Sequence, residues 1–414
     1  MNSLDRVASR PVWQDSRAVA LLMAAMLTTM ANATISPALP GLARLFADEP
    51  DAALLTRMLV SAPSLSVAIL APLAGLAADR FGRRGLLLMG VVLFVIAGSA
   101  RLVLPSLPAI LVSRLVLGIA VALIMTAQTA LVADYFSGAD RSALMGLQIA
   151  ARNFGGLLFI SLAGWVASLS PRLPFAIYGL AIVFLPLMWM VITDRPRRSS
   201  RTGADAAAGV ERSHAWIPLF SALVLLQALT NMLFFIMPTQ LPFFLASHFK
   251  NSAIMTGSAL GVLMLTGGCF ALLYPRIQPA IGYSRVFILG YGAMALGFVL
   301  LAVQATMLAP FIGGALVGAG YALVSPTFVA LVLNFTPASR RGLGGGILTA
   351  SIFAGQFCSP LLSTPMVSAL GYDGLFHGAS LLLASMASTT VAVVAFRRLR
   401  AASRPRDCSQ HGLR

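Results

Sequence analysis

Long apolar runs broken by short polar, arginine-bearing connections dominate the chain. Twelve runs are long enough to be helices that cross a bilayer, each needing about 20 mostly apolar residues. They cover roughly 18–38, 54–77, 86–104, 108–133, 143–167, 174–193, 216–238, 254–275, 286–303, 307–333, 343–366 and 375–396, and are numbered here as spans 1 to 12. Pro63, Pro72, Pro186 and Pro326 fall inside spans. Membrane helices tolerate this because neighbouring helices satisfy the freed backbone groups. Ala31-Asn32-Ala33 has the form of a signal-peptide cleavage site. Cleavage there would spoil the repeat described below, so span 1 is read as a retained helix.

The polar connections are not alike. With the N-terminus placed in the cytoplasm, 22 of the 29 basic residues lie on the inner side. The outer loops hold only Arg44, Arg101, Arg172 and Lys250. Arg57, Arg114 and Arg152 remain in or at the edge of spans. The asymmetry predicts both termini inside. It also accounts for the formal charge of +16 as a topology signal, so no nucleic-acid partner is expected.

Composition excludes the remaining classes. Hydrophobic residues make up 58% of the 414 positions and charged residues 10%, far from a soluble domain. Cys269, Cys358 and Cys408 form neither a disulfide frame nor a metal motif. No phosphate-binding GxxxxGK[ST] loop and no Ser/His/Asp cluster occurs. The expectation is a non-enzyme without cofactor or metal.

The chain repeats itself at an offset of 200 residues. Gly82/Gly282, Gly90/Gly290, Gly118/Gly318, Arg141/Arg341, Gly146/Gly346 and Gly155/Gly355 match. Spans 1 and 7 end alike, with Pro37, Leu39 and Pro40 answered by Pro238, Leu241 and Pro242. The expected organisation is an all-α membrane protein of two pseudo-symmetric six-helix halves, 1–193 and 216–396. A cytoplasmic linker at 194–215 joins them, and a basic tail follows at 397–414. Two parallel halves suit a site between them that is exposed to alternate sides.

Between spans 2 and 3 the sequence reads Gly75-Leu76-Ala77-Ala78-Asp79-Arg80-Phe81-Gly82-Arg83-Arg84. Gly75 allows close helix approach, Asp79 can pair with arginine or cap a helix, and Gly82 allows a tight turn. This GxxxDRxGRR pattern, with twelve spans and a duplication, resembles the major facilitator superfamily over the whole chain. The cluster is expected to act as a conformational latch. Arg114-x-x-x-Gly118 in span 4, ALPGLARLF at 38–46 and Asp134 resemble the twelve-span drug:proton antiporter branch. That resemblance implies proton coupling through Arg114, Gly118 and Asp134. The span 5 antiporter motif is matched by Gly146 and Gly155. Its second half is replaced by Phe159-Ile160 and Ala163-Gly164.

No carboxylate falls at mid-depth in any span, whereas Arg152 does. A central arginine costs about 2.5–3.5 kcal/mol on insertion scales. Gln148 and Arg152, spaced i, i+4, form a polar stripe beside Gly155. The stripe serves either an anionic ligand or helix–helix pairing. Arg114 lies about one and a half turns from the outer face, near enough to reach it. The resemblance implies a cavity lined by spans 1, 4, 7 and 10, with 2, 5, 8 and 11 at the interface of the halves. The expected substrate contacts are Asn32, Gln128, Gln148, Arg152, Gln227, Asn231, Tyr321 and Gln356. The whole reads as a secondary active transporter of the bacterial inner membrane. It would be monomeric and export a small organic molecule in exchange for protons. A carrier of an anionic or zwitterionic metabolite, and a non-transporting sensor, are the alternatives.

Overall fold

The computed structural model describes residues 12–49, 51–194, 216–303, 306–337 and 340–402. Among these the secondary structure is helical throughout, with no strand. Eleven helical segments are long and apolar enough to cross a membrane. The last, Leu343–Phe396, has 54 residues. At about 1.5 Å per residue this suffices for two crossings of a core about 30 Å thick. It belongs to one helix, Arg341–Ala402, interrupted at Gly371, where φ is 72°. Spans 11 and 12 therefore meet at this glycine without the separate loop expected from the sequence.

Span 1 is Ser16–Ala33, continued by a 3-10 turn at Ser36–Ala38 and a short helix Leu39–Leu45. Span 7 is built alike, as Ile217–Phe234 followed by Ile236–His248. In span 1 the continuous helix stops before Pro37 and Pro40, whose nitrogens cannot donate to the preceding turn. Spans 2 to 5 are the helices Ala52–Phe81, Arg83–Ser99, Leu107–Tyr135 and Gly138–Leu169. Span 6 is broken into Pro174–Ile177, a 3-10 stretch Tyr178–Val183, and Phe184–Val191. Spans 8 to 10 are Ser252–Ile281, Tyr283–Val303 and Ala309–Phe335.

The 200-residue repeat is visible in the backbone. Gly82 and Gly282 end spans 2 and 8 with φ of 83° and 79° and extended ψ, a conformation open to glycine. It recurs in packing. A Cβ at Gly118 would strike the Pro63 carbonyl of span 2, and one at Gly318 would strike the Leu263 carbonyl of span 8. Gly90 lies against Ile124, and Gly290 against Val324. Each contact is the other displaced by 200 residues.

Span 5 packs on spans 1 and 8, and span 11 on spans 7 and 2. Span 5 therefore joins span 8, and span 2 joins span 11, across the halves. Lipid tails are as apolar as leucine, so small residues that permit close backbone contact carry much of this association. Gly164 and Gly257 meet backbone to backbone at the span 5–span 8 contact, where a Cβ on either would lie 2.8 Å from the other's Cα.

Replacing Gly118 by valine forces spans 2 and 4 apart. Overpacking typically costs about 1–3 kcal/mol, so Gly118→Val should lower the melting temperature of the purified protein by several degrees. Gly292→Ala, at a position with open space around it, should leave that temperature unchanged or raised. Equal melting temperatures for Gly118→Val and the wild type would refute this packing account.

Candidate functional site

The turn after span 2 is held by residues from spans 4 and 6. Asp194 accepts hydrogen bonds from the backbone N–H groups of Arg83 and Arg84, at 3.0 and 2.9 Å. The first amides of a helix lack intrahelical partners, and a carboxylate there is favoured by the helix dipole. Arg83 forms an ion pair with Asp134 at the end of span 4. Arg84 donates to the Trp189 carbonyl at 2.8 Å and lies over the Trp189 ring. Tyr135 accepts from the Thr193 N–H and donates to the Thr193 carbonyl. Gly82 leaves room for Asp194, whose Oδ2 would be 2.8 Å from a Cβ there. Gly75, Asp79 and Arg80 belong to the helix of span 2, but their side chains lie outside the described residues. Sequence reasoning missed Asp194, placing it at the start of the linker. Nothing local marks an aspartate as the cap of a helix more than 100 residues away.

Arg114 does not reach the outer face. It is fully buried, and its Nε donates to the Leu59 carbonyl at 3.2 Å. Its Nη2 donates to the Ala31 carbonyl at 3.0 Å and to the Tyr178 hydroxyl at 2.6 Å. Tyr178 in turn donates to the Ala31 carbonyl at 2.9 Å. These acceptors have a common origin. The N–H that would bond Leu59 in a regular helix belongs to position 63, which is proline. Ala31 is among the last residues of the span 1 helix, whose terminal carbonyls are left open. Arg114 thus fills backbone vacancies in two helices, and the aromatic faces of Phe175 and Tyr178 lie 5.7 and 4.9 Å from its guanidinium carbon. It ties spans 1, 2, 4 and 6 together. Snorkelling would abandon those carbonyls.

The expected substrate contacts fall into three settings. Gln128 donates to the Leu21 carbonyl at 3.2 Å and ties span 4 to span 1. Asn231 accepts from Tyr321 at 2.8 Å, and Tyr321 stacks on Phe234 at 4.0 Å, joining spans 7 and 10. Gln356 accepts from Ser64 at 2.8 Å, across the interface of spans 2 and 11. A third group has buried polar atoms without partners: Asn32 Oδ1, Gln148 Nε2, Arg152 Nε, and both side-chain polar atoms of Gln227; the Oε1 of Gln128 is also unpartnered. Unsatisfied buried groups are costly, so each of these calls for a further hydrogen-bond partner.

At the opposite end of the bundle from Gly82, Arg57 of span 2 crosses to the other half. Its Nε donates to Gln240 at 2.8 Å and its Nη2 to Tyr372 at 3.3 Å, with the Phe243 ring 4.0 Å away. Gln240 donates onward to Ser363 and Thr364. The ends of spans 5 and 8 that carry Arg141 and Arg276 are by contrast largely exposed, as at Arg141, Met145, Leu272, Pro275 and Arg276. Arg57 stood out in the sequence only as an arginine near a span edge; its partners come from spans 7 and 12.

The model of the Major Facilitator Superfamily matches residues 21–279 and 223–407. The quinolone resistance protein NorA of Staphylococcus aureus is 27% identical over 146 residues, which are 35% of this chain and 38% of NorA. The class B tetracycline resistance protein of Escherichia coli is 28% identical over 356 residues, 82% of this chain and 86% of that protein. A crystal structure of the D-xylose-proton symporter superposes with a TM-score of 0.72 at 19% identity. It covers 89% of this chain and 96% of its own. With the family match running almost end to end on a fold of this kind, the chain belongs to the Major Facilitator Superfamily.

Proposed function

We propose that the chain is a secondary active exporter of small organic molecules, working by alternating access in a bacterial inner membrane and exchanging its substrate for protons. The relatives named for quinolone and tetracycline resistance support the export direction. The inner excess of arginine supports cytoplasmic termini and a division of the chain at 194–215. The observation that carries the reading is the placement of contacts between the halves. Arg57, Gln240 and Tyr372 close the outer end while the inner ends of spans 5 and 8 stand bare. This is the arrangement of a carrier open to the cytoplasm, ready to load. In this reading the turn at Gly75, Asp79, Arg80, Gly82, Arg83 and Arg84 is the latch, and the ion pair of Arg83 with Asp134, which lies within one half, holds that turn in shape throughout the cycle. Arg114 and Gly118 fix the packing on which coupling depends, and the protein works as a monomer.

The direct test is accumulation of a charge-sorted panel of organic compounds by everted membrane vesicles. Uphill accumulation that collapses with a protonophore is expected. Equilibration without accumulation for every compound would defeat the proposal.

The outer closure makes a separate prediction. Arg57→Ala should populate the outward-open state. In a background lacking Cys269, Cys358 and Cys408, a cysteine in place of the buried Ser61 should then react at least about fivefold faster with an impermeant maleimide added outside, an effect of about 1 kcal/mol. An unchanged rate would remove Arg57 from the closure.

Arg114→Lys keeps the charge but loses the planar fork that reaches two carbonyls at once. Proton-driven accumulation should fall at least about tenfold, or about 1.4 kcal/mol, while downhill exchange stays within about twofold. Full uphill transport in this variant would exclude Arg114 from coupling.

A further inference from the structure

Arg114 and Arg152 both lie away from the ends of their membrane-spanning helices and are treated differently. Arg114 has two carbonyls, a hydroxyl and two aromatic faces, and only its Nη1 is buried without a partner. Arg152 has no hydrogen bond or ion pair among the described residues, and its Nε is buried without a partner. It lies 14 residues from the start of the span 5 helix and 17 from its end, about 21 and 26 Å along the axis. From that depth neither membrane face is within easy reach. One turn inward, the Nε2 of Gln148 is also buried and unpartnered. Both are donors on one face of one helix. One turn outward on that face, Gly155 lies against Met26, and Gly156 against Thr29 and Met264. The donors therefore sit beneath a mostly apolar, methionine-rich roof formed with spans 1 and 8.

The internal repeat supplies a control. The positions 200 residues on from Arg152 and Gln148 are Ile352 and Leu348. The same place in the other half is filled by apolar side chains, so the fold itself does not call for a cation or an amide there. No Asp or Glu of the sequence falls at mid-depth in any span to neutralise the charge, and a cation at that depth is functional by default.

We propose that Arg152 and Gln148 form the anion subsite of the substrate cavity and take the carboxylate of an amphipathic organic acid. The guanidinium fork receives two carboxylate oxygens, the Gln148 amide adds a third donor, and Met26 and Met264 contact the apolar body. This deepens the export reading and rests on it for the claim that the bound acid is transported. It also makes the substrate's charge part of the energetics. An anion leaving a cell that is negative inside moves down the electrical gradient, worth about fiftyfold in accumulation per 100 mV.

The test uses the full-length protein in nanodiscs, with calorimetric binding of salicylate and of a fluoroquinolone. Each acid is set against its methyl ester, and ethidium serves as the cationic probe. At least one acid should bind tenfold or more tightly than its ester, and ethidium should bind weakly. Arg152→Met should erase the preference for the acid, Arg152→Lys should restore part of it, and Gln148→Leu should weaken the acid several-fold. If Arg152→Met fails to fold, the comparison of acid with ester in the wild type and in Gln148→Leu decides. Absence of acid binding at millimolar concentration, acids and esters binding alike, or unaltered acid affinity in Arg152→Met would each overturn the subsite. Everted vesicles separate the two readings. Acid binding that depends on Arg152, without accumulation of any probe, leaves the subsite standing and defeats export. Accumulation of ester and ethidium, undiminished in Arg152→Met, does the reverse.

Discussion

In a hydrocarbon solvent every buried carbonyl, amide and charge has to find its partner inside the protein, and the N-terminal half is organised around one solution to that demand. Pro63 leaves the Leu59 carbonyl without an intrahelical donor, and the end of the span 1 helix leaves the Ala31 carbonyl open. Arg114 and Tyr178 meet both. The proline, the helix break and the buried arginine are thus one device. Each alone would destabilise the bundle, and together they fix four spans relative to one another. The C-terminal half shows the alternative. There the counterpart of Pro63 is Leu263 and the counterpart of Arg114 is Gly314. A Cβ at Gly314 would lie 3.1 Å from the Ala259 carbonyl, the counterpart of Leu59. Without a proline to leave a carbonyl open, the helices simply close together.

The two halves therefore share packing but not polarity. Close approaches at Gly90, Gly118 and their partners 200 residues on set the same helix geometry in both. Charge is added on one side only. Arg114 and Arg152, and the ion pair of Arg83 with Asp134, belong to the first half. The second half places its mid-depth polar contacts in neutral pairs such as Asn231 with Tyr321 and Thr230 with Tyr291. A duplicated scaffold supplies a pseudo-symmetric frame, and the divergence of a few polar positions makes its two halves chemically unlike.

What the sequence revealed follows this division. Spans, repeat, family and the turn at Gly82 depend on local composition and glycine spacing, which one chain displays directly. The likeness of spans 1 and 7 at Pro37, Pro40, Pro238 and Pro242 was legible as part of the repeat, but both were read as ending there, whereas helix resumes over Leu39–Leu45 and Ile236–His248. The partners were not legible. Asp194 capping span 3, Tyr178 beside Arg114 and Gln240 facing Arg57 join positions 64 to 183 residues apart. Hydropathy says how deep such a residue lies but not which way it turns. The merging of spans 11 and 12 at Gly371 was missed for a related reason: residues 367–374 read as a separate loop, and only the positive φ of Gly371 shows that a single residue makes the turn.

The chemistry of the outer closure bears on how such a carrier can turn over. Arg57 faces an amide, a phenol and an aromatic ring, with no carboxylate among its described partners. A hydrogen bond from a charged group contributes about 1.5–3 kcal/mol, and shifting a two-state equilibrium from 1:99 to 99:1 takes about 5.5 kcal/mol. Two such bonds lie within that range, so binding at mid-depth can offset the opening of the outer end. Neutral partners make the closure strong enough to seal and weak enough to release. The inner ion pair of Arg83 with Asp134 lies within one half and at its surface, so it can travel with that half without being broken on each cycle.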